Sequence, residues 1–134
     1  MMVDGLTRIA CTTPNCGGGP SEHTDWVLAA NTDYVRADGI TPIATTDANG
    51  LFPIPLTNTY SADVGTSEGT RLWTGYNIIW VKQNVCDNLG APGTAWTALT
   101  GDGNHARFDA IDIEAINYSV QMCIDNNFIA CVEQ

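Results

Sequence analysis

Basic residues are nearly missing from this chain: one lysine, Lys82, and four arginines, Arg8, Arg36, Arg71 and Arg107, stand against fifteen acids, for a net charge of −10. The five cations are scattered singly, so no basic stripe is present to neutralise a phosphate backbone, and nucleic-acid binding is disfavoured. The acids are equally scattered and read as a solvated outer surface that keeps the chain soluble. No uncharged apolar run reaches the roughly 20 residues that span a bilayer, so no membrane segment is expected. Met1-Met2-Val3-Asp4-Gly5 has neither a basic nor an apolar leader region, and no Sec-type signal peptide is expected.

Catalytic signatures are lacking as well. There is no Gly-x-Ser-x-Gly, and none of Ser21, Ser61, Ser67 or Ser119 sits in a nucleophile turn. The glycines at 17–19 are not followed by Gly-Lys-Ser/Thr, so they are not a phosphate loop. A cysteine–histidine dyad would have to join Cys86 to His23 or His105, and only the residue types support it. Asp112 and Glu114 share a strand parity, but paired acids on an exposed strand are usually just solvated. No enzyme and no cofactor are expected. Asn117-Tyr118-Ser119 matches a glycosylation acceptor, which has no use without export.

What is abundant points to strands and turns. Sixteen threonines accompany many Asn and Gly residues, while charged residues are only 15% of the chain and hydrophobic ones 44%. Thr favours strands, and Asn and Gly favour turns. At 134 residues, one domain spanning 1–134 is expected.

The clearest stretch is 116–132. Ile116, Tyr118, Val120, Met122 and Ile124 fall on alternate positions, Asp125-Asn126-Asn127 supplies turn chemistry, and Phe128, Ala130 and Val132 resume the alternation. A C-terminal β-hairpin with one apolar face against the core is predicted. An odd-numbered loop keeps both apolar sets on one face and brings Cys123 opposite Cys131. These two are disulfide candidates, with two reduced thiols as the alternative.

Five cysteines leave at least one that cannot pair within the chain. Cys11 and Cys16 close a small ring or stay free, because zinc would need a second close pair that the sequence does not offer. Cys86 is the natural unpaired thiol. The Pro- and Gly-rich stretch 11–20 is loop. In 40–56, Asn49-Gly50 signals a hairpin, but Pro42, Pro53 and Pro55 cannot donate ladder hydrogen bonds, so these flanks belong at a sheet edge or in an extended arm.

The run 72–81, bulky on both parities, reads as a central strand. A further strand is expected over 95–99. A tight loop at 100–104 then leads to a strand over 108–115, with a β-bulge near Ala115-Ile116 where the apolar parity switches. Asp102, Asn104 and Asp109 offer a weak calcium alternative, since Ala98 and Thr100 stand where the first acidic ligands belong. No other metal site is expected.

The fold expected is therefore all-β, an antiparallel sandwich or jelly-roll-like domain of roughly seven or eight strands, judged from turn spacing. The function expected is structural and non-enzymatic. The chain reads as a subunit of a larger assembly, a bacteriophage virion component (decoration, capsid-associated or tail) or an extracellular filament subunit, whose partners are copies of itself or other subunits. The alternative is a small lectin-like module that stacks glycans on Trp26, Trp73 or Trp96, residues that would otherwise fill an interface.

Overall fold

The computed structural model describes residues 7–62, 71–86, 96, 99–125 and 127–132. Residues 1–6, the polar connection after Ser61, the turn-rich stretch following Cys86 and most of the strand expected over 95–99 lie outside the described residues.

Short strands separated by Gly, Pro and Asx turns build two small antiparallel sheets. Strand β1, Asp33–Val35, pairs with β2, Pro42–Thr45, in the register Asp33↔Thr45 and Tyr34↔Ala44. The turn between them is tied by Asp38, whose carboxylate accepts from the Ile40 and Thr41 amides and the Thr41 hydroxyl. The second sheet runs β3, Arg71–Trp73, then β4, Asp102–Arg107, then β5, Ser119–Met122, with β4 in the middle. Three single 3-10 turns, Pro14–Cys16, Pro20–Glu22 and Ile113–Ala115, complete the regular structure, and no α-helix occurs among the described residues.

The chain is thus all-β, but with five strands among the described residues, fewer than turn spacing suggested. Ile43 and Ala44 from one sheet and Leu72 and Ala106 from the other meet in a common core with Leu28, Leu51, Phe52, Leu56 and Ile116. At its aromatic end Tyr76 packs against Trp80 at 4.8 Å between ring centroids, and Trp26 sits edge-on to both.

Several expectations are corrected. The run 72–81 is no central strand: Gly75 takes φ +77, and the Asn77 side chain accepts from the Ile79 and Val81 amides. That Asx turn folds the run back on itself, burying Tyr76 and Trp80 together. Of the two placements expected for the flanks of 40–56, Pro42–Thr45 takes the sheet edge, and the segment is no projecting arm. Asn49-Gly50 does turn, with the Asp47 carboxylate capping Asn49 and Leu51, but the turn tucks Leu51 and Phe52 into the core. A Cβ on Gly50 would come within 2.6 Å of the Leu28 carbonyl oxygen.

The strand expected over 108–115 lies earlier, at 102–107. Asp109 and Asp112 form turns instead, Asp112 capping Ile113–Ala115 through the Glu114 amide, so the parity switch marks a 3-10 turn and not a bulge.

The largest correction concerns the C-terminal hairpin. β5 pairs with β4 in the register Asp102↔Met122 to His105↔Ser119. Phe128 instead lies alongside β3, where the Trp73 amide donates to its carbonyl and its own amide donates to Arg71. Ile116 is buried, and Ala130 and Val132 pack against the core as expected, but from Tyr118 to Ile124 the predicted inward face is reversed. Tyr118, Val120, Met122 and Ile124 are exposed, whereas Cys123, on the other parity, is buried.

Candidate functional site

One face of the three-stranded sheet is built around Gly103. Trp73 on β3 stands opposite His105 on β4, and two residues along the strand Gly103 leaves the room that Trp73 needs. A Cβ there would lie 2.7 Å from Cys86 Sγ and 2.7 Å from Trp73 Cζ3. The Cys86–Cys123 disulfide, with Cα atoms 5.5 Å apart, fastens the end of β5 to the segment beside β4, and Trp96 tilts against Trp73 at 5.4 Å.

His105 completes this nook. It is only 2% exposed, sits edge-on to Trp73 and Tyr118, and neither ring nitrogen has a hydrogen-bond partner among the described residues. Burial, and secondarily the Arg71 charge, pushes its pKa down to about 4, so the ring is neutral at physiological pH. A neutral, enclosed imidazole of this kind is a packing element.

The nook fixes what lies at the sheet edge. Arg107 is held by the Asp109 and Glu114 carboxylates at 2.7 to 2.9 Å, and its guanidinium lies 5.5 Å from the centre of the Tyr118 ring. Hydrogen bonding to Arg107 holds the Asp109 carboxyl below the usual carboxylate range. Tyr118, braced by Arg107 on one side and His105 on another, begins the exposed stripe that Val120, Met122 and Ile124 continue. No charged residue occurs from 115 to 124. The opposite side of the sheet is occupied by Phe128, so among the described residues β5 is its open edge.

A separate cleft of about 1040 Å³ runs beside β1. Tyr34, Phe52, Tyr60 and Phe108 supply its aromatic walls, with Val132 and the free thiol of Cys131 also lining it. The Tyr60 hydroxyl is buried without a hydrogen-bond partner among the described residues, and desolvation raises its pKa.

The structure brings only some of the predicted site residues together. Trp73 and Trp96 share the nook, whereas Trp26 belongs to the main core, donating from Nε1 to the Gly50 carbonyl at 3.0 Å. Cys11 and Cys16 close their small ring. Cys86 is not the odd thiol: it bonds to Cys123, leaving Cys131 free, because β4 rather than the C-terminal segment is the neighbour of β5.

The weak calcium site is also corrected. Asn104 is buried, with its amide spent on the Asn84 amide, the Tyr76 carbonyl and Gln83, and Asp109 is engaged by Arg107. Among the described residues, no group of three His, Cys, Asp or Glu is placed to hold a metal ion.

Sequence reasoning missed Glu22, whose carboxylate gathers the Thr12, Thr13 and Gly18 amides and both threonine hydroxyls around the Cys11–Cys16 loop. It also missed Gly103, since the run Gly101-Asp102-Gly103-Asn104 reads as a turn.

The matched region of the chain includes β1 to β4 and the small disulfide ring. The chain belongs to the family described as Protein of unknown function (DUF1554), whose model matches residues 1–109. No curated protein and no solved structure matches it. β5 and Cys123 follow the matched region in sequence.

Proposed function

We propose that this chain is a non-enzymatic structural subunit of a larger assembly, joined to its neighbours along the β5 edge. One observation carries the reading. Tyr118, Val120, Met122 and Ile124, on and flanking an edge strand unpaired among the described residues, are 46%, 43%, 62% and 64% exposed, and no charged residue occurs from 115 to 124. Edge strands of free monomers are normally blunted by lysine, proline or inward charge, and this one has none of these. A contiguous apolar stripe on such an edge is the mark of a surface that is covered when the protein works.

The disulfides bear on the setting. Two bridges persist only in an oxidising environment, which favours a virion or an extracellular filament over a reducing cytosol. A sandwich-like layering is part of the same proposal, supported by the joint contribution of both sheets to one core. The glycan-binding alternative relied on open indole faces. Trp26 and Trp73 are taken up by packing, which weighs against it.

Sedimentation velocity over a wide concentration range tests the reading. The chain is expected to associate reversibly, and Met122→Lys to abolish association without changing the far-UV spectrum. A chain that stays monomeric at millimolar concentration, with tryptophan fluorescence quenched by oligosaccharides, overturns the proposal in favour of a lectin.

A further inference from the structure

The open edge also specifies its occupant. We infer that two copies join by antiparallel pairing of β5 with β5 about a two-fold axis through Val120, fusing the two three-stranded sheets into one. This rests on the assembly reading above and adds the partner and the register.

Backbone direction comes first. The Cys123 amide donates to the Gly101 carbonyl, so by the alternation of an antiparallel ladder the odd positions of β5 aim their polar groups at β4. The amide and carbonyl of Val120, and the Met122 amide, therefore point away from the sheet. The Met122 carbonyl already accepts from the Asp125 amide at 3.1 Å, and the Tyr118 amide already donates to the His105 carbonyl at 2.7 Å. An axis at Gln121 would set the free Val120 amide against that occupied carbonyl, whereas an axis at Val120 sets the spent Tyr118 amide there and strands no donor. An axis at Val120 lets each copy's Val120 amide donate to the other's Val120 carbonyl.

Side-chain parity is compatible with this axis. Pairing about a residue-centred axis always places even positions opposite even ones, so the two apolar stripes merge on one face. Val120 meets the second copy's Val120, and Tyr118 meets its Met122, an aromatic–thioether contact worth about 0.3–1.5 kcal/mol. On the opposite face Ser119 stands across from Gln121.

Charge decides between a second copy and a foreign partner. With net charge −10, a cationic partner would be drawn to the acidic surface, not to the uncharged stretch 115–124. Asp102, the β4 partner of Met122, and Asp125, which accepts from the Gln121 side chain at 2.8 Å, flank the joint. Antiparallel pairing sets this Met122 end against the second copy's Tyr118 end and not against the same acids, and exposed charges beyond about 8 Å are largely screened at physiological salt.

Cross-linking reads the register directly. Ser119→Cys and Gln121→Cys are made in full chains carrying Cys131→Ser, then mixed under a mild oxidant. Positions 119 and 121 form a non-hydrogen-bonded pair across the joint, with Cα atoms about 4.5 Å apart, within disulfide range. A covalent heterodimer in the mixture, absent from either variant alone, is expected.

Val120→Pro supplies the second measurement. It removes an outward amide that the monomer does not use, so the fold and its near-UV spectrum should survive while the dimer is lost. Gln121→Cys cross-linking to itself would overturn the Val120 register. Association that persists in Val120→Pro, without mixed cross-links, would overturn the β5 joint and leave the assembly reading standing. An unsubstituted chain that never associates would overturn both.

Discussion

Replacing Gly103 by alanine sets two opposed effects against each other at one buried point. Gly103 has no left-handed φ, so alanine fits its backbone, and in a strand the change should gain roughly 0.5–1 kcal/mol by restricting the unfolded chain. Against that, the new methyl would stand 2.7 Å from Cys86 Sγ, 2.7 Å from Trp73 Cζ3 and 3.1 Å from Trp73 Cε3. Neither neighbour is a flexible tip. The sulfur is held by its bridge to Cys123, and the indole is packed between Trp96 and His105.

Overpacking a rigid core site costs about 1–3 kcal/mol, and here the upper half of that range applies, so the clash outweighs the entropic gain. A net loss of about 1–2 kcal/mol should lower the melting temperature by roughly 3–8 °C for a chain of this size. Calorimetry on Gly103→Ala measures the drop. A cycle with Trp73→Phe, which withdraws the offending ring atoms, should recover part of it as a coupling energy. An unchanged or raised melting temperature, with Trp73 fluorescence intact, would refute the packing described for this face.

Two further outcomes follow from the loops. The Cys86–Cys123 bridge spans 37 residues and the Cys11–Cys16 bridge 5; on loop-closure entropy alone their removal should cost about 4 and about 2 kcal/mol respectively. Urea unfolding of Cys86→Ala/Cys123→Ala against Cys11→Ala/Cys16→Ala measures this order, which a larger loss from the short ring would contradict. Glu22, lowered from 4.5 to about 2 chiefly by the Thr13 hydroxyl bond, contributes stability that is complete above pH 4.5 and lost as pH falls towards 2. Thermal melts of Glu22→Gln should therefore show less acid sensitivity than the unsubstituted chain in that window, and identical profiles would rule out the loop anchor.

Turn chemistry and alternation were legible residue by residue. Asn49-Gly50 turns where the dipeptide indicates, the stretch 11–20 is loop closed by its own cysteines, and Ser119–Met122 is a strand. Pairing was not legible, because a strand's own pattern does not name its neighbour. The alternation of Tyr118, Val120, Met122 and Ile124 is equally compatible with an inward and an outward apolar face, and β4 selects the outward one by taking Cys123 to the buried side. The bulky run 72–81 likewise obeys Gly75 and Asn77 rather than its hydrophobicity.

By itself, then, the sequence determined that this protein is a strand-and-turn chain with an acidic exterior and an uncharged segment near one end, since these depend on local backbone preference and on charge count. Which cysteines meet, which face of β5 looks outward and where a glycine must stand were decided only in three dimensions. Each of those depends on contacts between residues far apart in sequence, whose free energy no short window of the chain contains.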